Sequence, residues 1–216
     1  MRRVAMITGA SGGIGAAAAL LLAERGFRVV VNHHASAQEA GEAVAAITKA
    51  GGEALAIQGD VTSSSDVARM VTEIEKRWDD VDVLVHNALN PVAMTSFAEL
   101  TWEQLGGKLD RELHAAFRVT KAVVPGMISR NYGRLIYLST GLSRRPRDGM
   151  ITLGTAKAAL DQFVRFIALE LAPASDHRRP RGAGNGGGDN GGPSADPGED
   201  SRARRSHTDG KARPPP

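Results

Sequence analysis

Two rhythms of apolar residues alternate along positions 1–173 of the chain. Short runs occupy Val4–Thr8, Arg28–Val31, Ala54–Gln58, Val81–His86 and Arg134–Ser139. Each is apolar on both faces, which predicts a strand covered on both sides. Longer stretches with helical spacing separate them. Ala16–Arg25 is rich in Ala and Leu. Gln38–Ala50 puts Ala40, Val44 and Ile47 on one face, and Ser65–Trp78 gathers Val67, Met70, Val71, Ile74 and Trp78. Thr101–Arg130 and Thr155–Ala172 are the longest. Strands alternating with helices imply right-handed crossovers and a doubly wound, mostly parallel α/β sheet.

The rhythm stops at Ala174. From there to Pro216 the chain has no Val, Ile, Leu, Met, Phe, Trp or Tyr, and Gly184–Gly192 is mostly Gly and Asn. Such a segment buries too little apolar surface to offset its ordering entropy. The expected organisation is one folded domain over 1–173 and a low-complexity, disordered tail over 174–216. The tail reads as a native flexible segment or, equally, as a frameshifted product. Codons permitted for Ala174–Gly192, shifted by one nucleotide, can encode an apolar strand.

Composition removes several function classes. The net charge of +3 is shared between a tail with eight basic and six acidic residues and a nearly balanced remainder. A near-neutral domain argues against nucleic-acid binding as the main work. With no cysteine, disulfide scaffolds, thiolate metal sites and cysteine nucleophiles are excluded, and no metal is expected. The longest apolar run, Ala16–Ala23, is too short to span a bilayer. The first strand reaches Gly9 too early for a secretory signal. The expectation is a soluble cytoplasmic protein acting on a small molecule, without a membrane partner.

Candidate chemistry begins at the end of the first strand. Thr8-Gly9-Ala10-Ser11-Gly12-Gly13-Ile14-Gly15 has the spacing Gly-x-x-x-Gly-x-Gly and opens a helix. Gly9 can take backbone angles other residues resist. Gly13 leaves the backbone free to approach a diphosphate, and Gly15 lets helix and strand come close. The helix start offers free N–H groups to an anion. The same spacing also occurs in glycine-rich turns that bind nothing. Its place between a strand and a helix favours a nucleotide.

These residues resemble the cofactor loop of the short-chain dehydrogenase/reductase family. Asp60-Val61 after strand three, Asn87-Ala88 after strand four, Gly133-Arg134-Leu135-Ile136 and Ala156-Lys157-Ala158-Ala159-Leu160 follow in the family's order. The resemblance runs from residue 3 to residue 173. It implies a Rossmann-type fold and a nicotinamide dinucleotide held by Thr8, Gly9, Ser11, Gly13, Ile14, Gly15, Asp60, Val61, Asn87, Ala88 and Lys157. Asp60 would meet the adenine, and Asn87 would brace the strand ends. The end of strand two, Asn32-His33-His34-Ala35-Ser36, has no carboxylate to repel a 2′-phosphate. Asn32, His33 and Ser36 are candidate donors, so NADP is expected over NAD. The Arg often found inside the glycine loop is replaced by Gly12.

The catalytic pattern departs from the family. Carbonyl reduction there uses a Tyr acid four residues before the Lys, a Ser about thirteen before the Tyr, and an Asn in helix four. Lys157 is present, but Leu153 stands at the Tyr position, and Met150 at the alternative position seven before the Lys. Thr140 falls at the Ser position beside Ser139, and either hydroxyl is a candidate for holding a substrate oxygen. Glu112 aligns with the helix-four Asn. Burial that raised its pKa would equip it to donate a proton; its ordinary role is a solvated or salt-bridged helix residue. His114 points elsewhere around the helix. Tyr137 shares a face with Ser139 and reads as a core residue with a locally bonded hydroxyl. Trp102, Met94 and Phe97 are candidates for a substrate wall or for packing.

The resemblance implies an oxidoreductase moving hydride between NADP(H) and a carbonyl or activated enoyl substrate. Enoyl reduction tolerates the missing acid better, because water can protonate the enolate. The alternatives are a cofactor-binding, catalytically silent subunit and the inactive frameshifted product of such an enzyme. The family's contact through helices four and five implies a homodimer, or pairing with an active relative.

Overall fold

The computed structural model describes residues 2–89, 92 and 94–172. The readings made for 174–216, disordered tail and frameshift alike, lie outside these residues. In chain order the elements are β1 (Val4–Ile7), α1 (Gly13–Glu24), β2 (Arg28–His33), α2 (Ala37–Lys49), β3 (Glu53–Gln58), α3 (Ser64–Arg77), β4 (Val83–His86), α4 (Trp102–Ser129), β5 (Arg134–Tyr137) and α5 (Ile151–Leu171). A single 3-10 turn, Gly141–Ser143, lies between the last two.

The five strands form one parallel sheet in the order β3-β2-β1-β4-β5. Their contiguous apolar runs are explained by the two layers they feed. Along β1, Val4 and Met6 enter a core with Val67, Met70 and Ile74 of α3 and Val119 and Val123 of α4. Ala5 and Ile7 enter a second core with Ala19 of α1 and Ala40 and Ile47 of α2. The period of two sends successive residues to opposite layers, and both are buried.

The strand order reverses between β1 and β4, so the loops after these strands diverge and open a crevice. Two helix starts differ from the sequence reading. α1 begins at Gly13, so the glycine loop itself forms the first turn. α5 begins at Ile151 rather than Thr155, which brings Leu153 inside the helix. Ser63 caps α3 by accepting from the Asp66 N–H at 3.3 Å. The Asp66 carboxylate reaches past it to accept from the Asp60 N–H at 2.8 Å.

β5 is the edge of the sheet among the described residues, and its Ile136 side is 48% exposed. α5 lies against α4, with the Phe117 and Phe163 rings 6.4 Å apart. Among the described residues, no helix is long and apolar enough to cross a membrane, and no His, Cys, Asp and Glu cluster has a metal-binding arrangement.

Candidate active site

The crevice at the carboxyl ends of β1, β2, β4 and β5 is a cleft of about 910 Å³. It is lined by Gly9, Ser11 and Ile14 of the glycine loop, Asn32 and His33 of β2, and Asp60, Val61, Asn87 and Ala88 of the following loops. Ser139, Thr140, Leu153 and Lys157 line its other end. Thr8 and Gly15 are buried behind this lining and shape it, while Gly13 is exposed beside it at the start of α1.

Thr8 is a buried hub. Its hydroxyl oxygen accepts from the Asn87 and Ala88 N–H groups, each at 3.0 Å. Its own hydrogen is then free for His86 Nδ1 at 3.2 Å. Burial pushes the His86 imidazole down to about 4, aided by the Lys157 charge. The ring is therefore neutral, and its proton sits on Nε2. Asn87 ties β4 to β1: its side-chain amide donates to Thr8 O at 3.1 Å and Gly9 O at 2.8 Å.

Each glycine of the loop has its own reason. Gly9 sits at φ +61°, and a Cβ there would lie 2.8 Å from Ala88 Cα. A Cβ at Gly15 would fall 2.6 Å from Asn87 Nδ2, so only glycine allows α1 to seat this close. Gly13, at φ +54°, has open space where a Cβ would project. No side chain caps the start of α1, and its first turn holds no acidic residue. Open amides and an open approach fit a diphosphate.

Asp60 Oδ1 accepts from the Thr62 N–H at 2.8 Å and the Thr62 hydroxyl at 2.7 Å. Burial alone would raise the carboxyl; these bonds, then the charges of His34 and Arg118, hold it below the usual range. It is an acceptor on the cleft wall, as an adenine amino group requires. Asn32 is placed differently from the sequence expectation. Its Oδ1 accepts from the Gly9 N–H at 3.3 Å, and its amide donates to Gly59 O at 3.0 Å. It braces the glycine loop, leaving His33, His34 and Ser36 at the mouth. His33 Nδ1 is buried without a hydrogen-bond partner.

At the far end, Thr140 Oγ1 accepts from the Leu142 N–H at 3.3 Å, which fixes the side chain and leaves its hydrogen to donate. Ser139 is exposed in the cleft. Lys157 Nζ donates to Leu138 O at 2.7 Å and stands 2.6 Å from Glu112 Oε1. That last contact is an ion pair outside hydrogen-bond alignment. Lys108 Nζ donates to Glu112 Oε2 at 2.9 Å.

The reading of Glu112 as a proton donor is corrected here. Glu112 is 1% exposed. Burial would raise its carboxyl, but the close contact and charge of Lys157, with the hydrogen bond and charge of Lys108, outweigh that and hold it below the carboxylate range. Tyr137 is no substitute either. Its hydroxyl meets Thr120 Oγ1 at 2.5 Å, and burial raises its pKa. His114 pairs with Asp110 outside the cleft. Trp102, Met94 and Phe97 are 72%, 70% and 81% exposed and do not line it. Residue-by-residue reading overlooked Lys108 and the cleft residue Arg111. The four-residue spacing of Lys108 and Glu112 was the available signal.

A dinucleotide cleft at a topological switch point, with a Lys and two hydroxyls at one end, defines a nucleotide-dependent oxidoreductase class. The profile of the short chain dehydrogenase family matches residues 3–175. The chain belongs to that family, whose members use nicotinamide cofactors. It is 35% identical over 170 residues to a 3-oxoacyl-[acyl-carrier-protein] reductase of Synechocystis, covering 79% of this chain and 68% of that protein. It is 38% identical over 175 residues to 1-cyclohexenylcarbonyl-CoA reductase of Streptomyces collinus, covering 80% of this chain and 60% of that protein. Among solved structures, an NAD⁺-bound xylitol dehydrogenase superposes with a TM-score of 0.74 at 32% identity, covering 79% of this chain and 65% of that one.

Proposed function

We propose that the chain is an NADPH-dependent reductase of conjugated enoyl thioesters. The observation that carries this reading is the pairing of an intact cofactor cleft with Leu153 at the position of the acid. When bound, the nicotinamide supplies a hydride. The open amides of α1 hold the diphosphate, and Asp60 accepts from the adenine. His34 and Ser36 line the cleft just after β2, a stretch that carries no acidic residue, and favour a 2′-phosphate. Lys157 binds the nicotinamide ribose.

Ser139 and Thr140 donate to the thioester oxygen. As the β-carbon takes the hydride, the double-bond electrons move toward that oxygen, and these donors steady the developing negative charge. Water then gives a proton to the α-carbon. A ketone would need its proton at the alkoxide itself, where Leu153 offers none. The 1-cyclohexenylcarbonyl-CoA reductase match supports the same chemistry. A second reading, cofactor binding without turnover, is favoured by Leu153 and Met150 at the two positions where the family carries its acid.

NADPH oxidation followed over a panel of enoyl and 3-oxoacyl thioesters tests the proposal. Turnover on the enoyl substrates alone is expected. Brisk 3-oxoacyl reduction would overturn it. NADPH binding without turnover would establish the silent chain.

A further inference from the structure

Lys157 is buried, and an ammonium in such a place is costly unless a carboxylate meets it. Glu112 meets it from α4, 2.6 Å away, while Lys108 holds the carboxylate from the other side at 2.9 Å. All three side chains are buried. Lys108 and Glu112 lie one turn apart on α4, so that helix sets the carboxylate's position. Leu153 lies one turn before Lys157 on α5, lines the cleft, and has no polar atom. The place from which a phenol would reach Lys157 is hydrocarbon. The remaining titratable neighbours are spoken for: His86 is neutral and held by Thr8, and the Tyr137 hydroxyl is tied to Thr120.

The geometry points to Glu112 as a positioning residue that takes the place of the missing phenol as the partner of Lys157. An ammonium has three N–H groups. One donates to Leu138 O and a second leans toward Glu112. The third is left for the cleft, where the proposed cofactor ribose would lie. Without the carboxylate, the buried Lys157 ammonium would have Leu138 O but no counter-charge in contact, and it would swing away. This inference rests on the proposed nicotinamide site.

The test is a double-mutant cycle read as NADPH dissociation constants by calorimetry, using Glu112→Gln, Lys157→Met and both together. Each single change is expected to weaken NADPH by about tenfold or more, a coupling of the size seen for contacting groups. The double variant is expected to bind no more weakly than Lys157→Met, because Glu112 then has nothing to position. Full affinity in Glu112→Gln, or losses that multiply, would overturn the inference. A parent chain that binds no nicotinamide dinucleotide would instead sink the functional reading beneath it. Thermal unfolding is recorded for every variant. If Glu112→Gln does not fold, Glu112→Asn replaces it. If neither folds while Lys157→Met does, the carboxylate is purely structural and the inference fails.

Discussion

Gly13 shows how much a single position carries. A β-branched residue is strained at φ +54°, yet a Cβ there meets nothing within 4 Å. Gly13→Val is therefore expected to fold with a modest loss of stability while its side chain projects into the diphosphate approach. Fluorescence titration should show NADPH affinity lost. His86 sets a pH dependence. Unfolded, its imidazole takes a proton near 6.5; folded, not until about 4. The unfolded state binds more protons in between, so stability falls as pH drops through that window. The shift corresponds to roughly 3 kcal/mol. Glu112 adds to the loss below its ordinary 4.5, because its native carboxyl is also depressed. Urea midpoints at about pH 7.5 and about pH 4.5 should differ, and less so in His86→Asn. An unchanged slope in that variant would place the sensitivity elsewhere. The placement of Gly9, Asp60 and Asn87 on the cleft was legible because each follows a strand end in the local order of the chain. Glu112 was not, since its partner Lys157 reaches it only through the packing of α4 on α5.

The elements followed the apolar rhythm closely, because burial on both sheet faces leaves little choice of strand. Their ends did not. β5 stops at Tyr137, two residues short of its expected end, because the chain turns into the Thr140-capped 3-10 turn. α5 starts four residues early, where Met150 provides no side-chain cap for the pattern to reveal. The early start turns Leu153 toward the cleft, and this decides how an engineered acid would behave. Leu153→Tyr places a phenol one turn from Lys157. The Lys157 charge is already matched by Glu112, so the phenol gains little help in giving up its proton. Leu153→Tyr alone is expected to raise 3-oxoacyl reduction weakly. Paired with Glu112→Asn, which leaves the phenol in place of the carboxylate as the partner that holds Lys157, the gain should approach the roughly 10²–10⁴-fold of general acid catalysis. Steady-state kinetics on the parent and these two variants check this, and equal rates in the two variants would refute it.

At the scale of the molecule, α4 and α5 present apolar groups to solvent, among them Phe117, Phe166 and Leu169. A dimer through these helices is expected. Sedimentation at micromolar concentration should give twice the chain mass, and Phe166→Glu should shift it toward one. A single-chain mass for the parent would reject the dimer. The β5 edge has a different consequence. Among the described residues no strand pairs with its outer side, so the backbone amides and carbonyls beside Ile136 are placed to template a strand from another chain. Shelf life in concentrated solution would then be limited by colloidal adhesion at one flank rather than by melting. Ile136→Lys sets a charge on that flank at a half-exposed position. Light scattering should show slower clouding with an unaltered melting temperature.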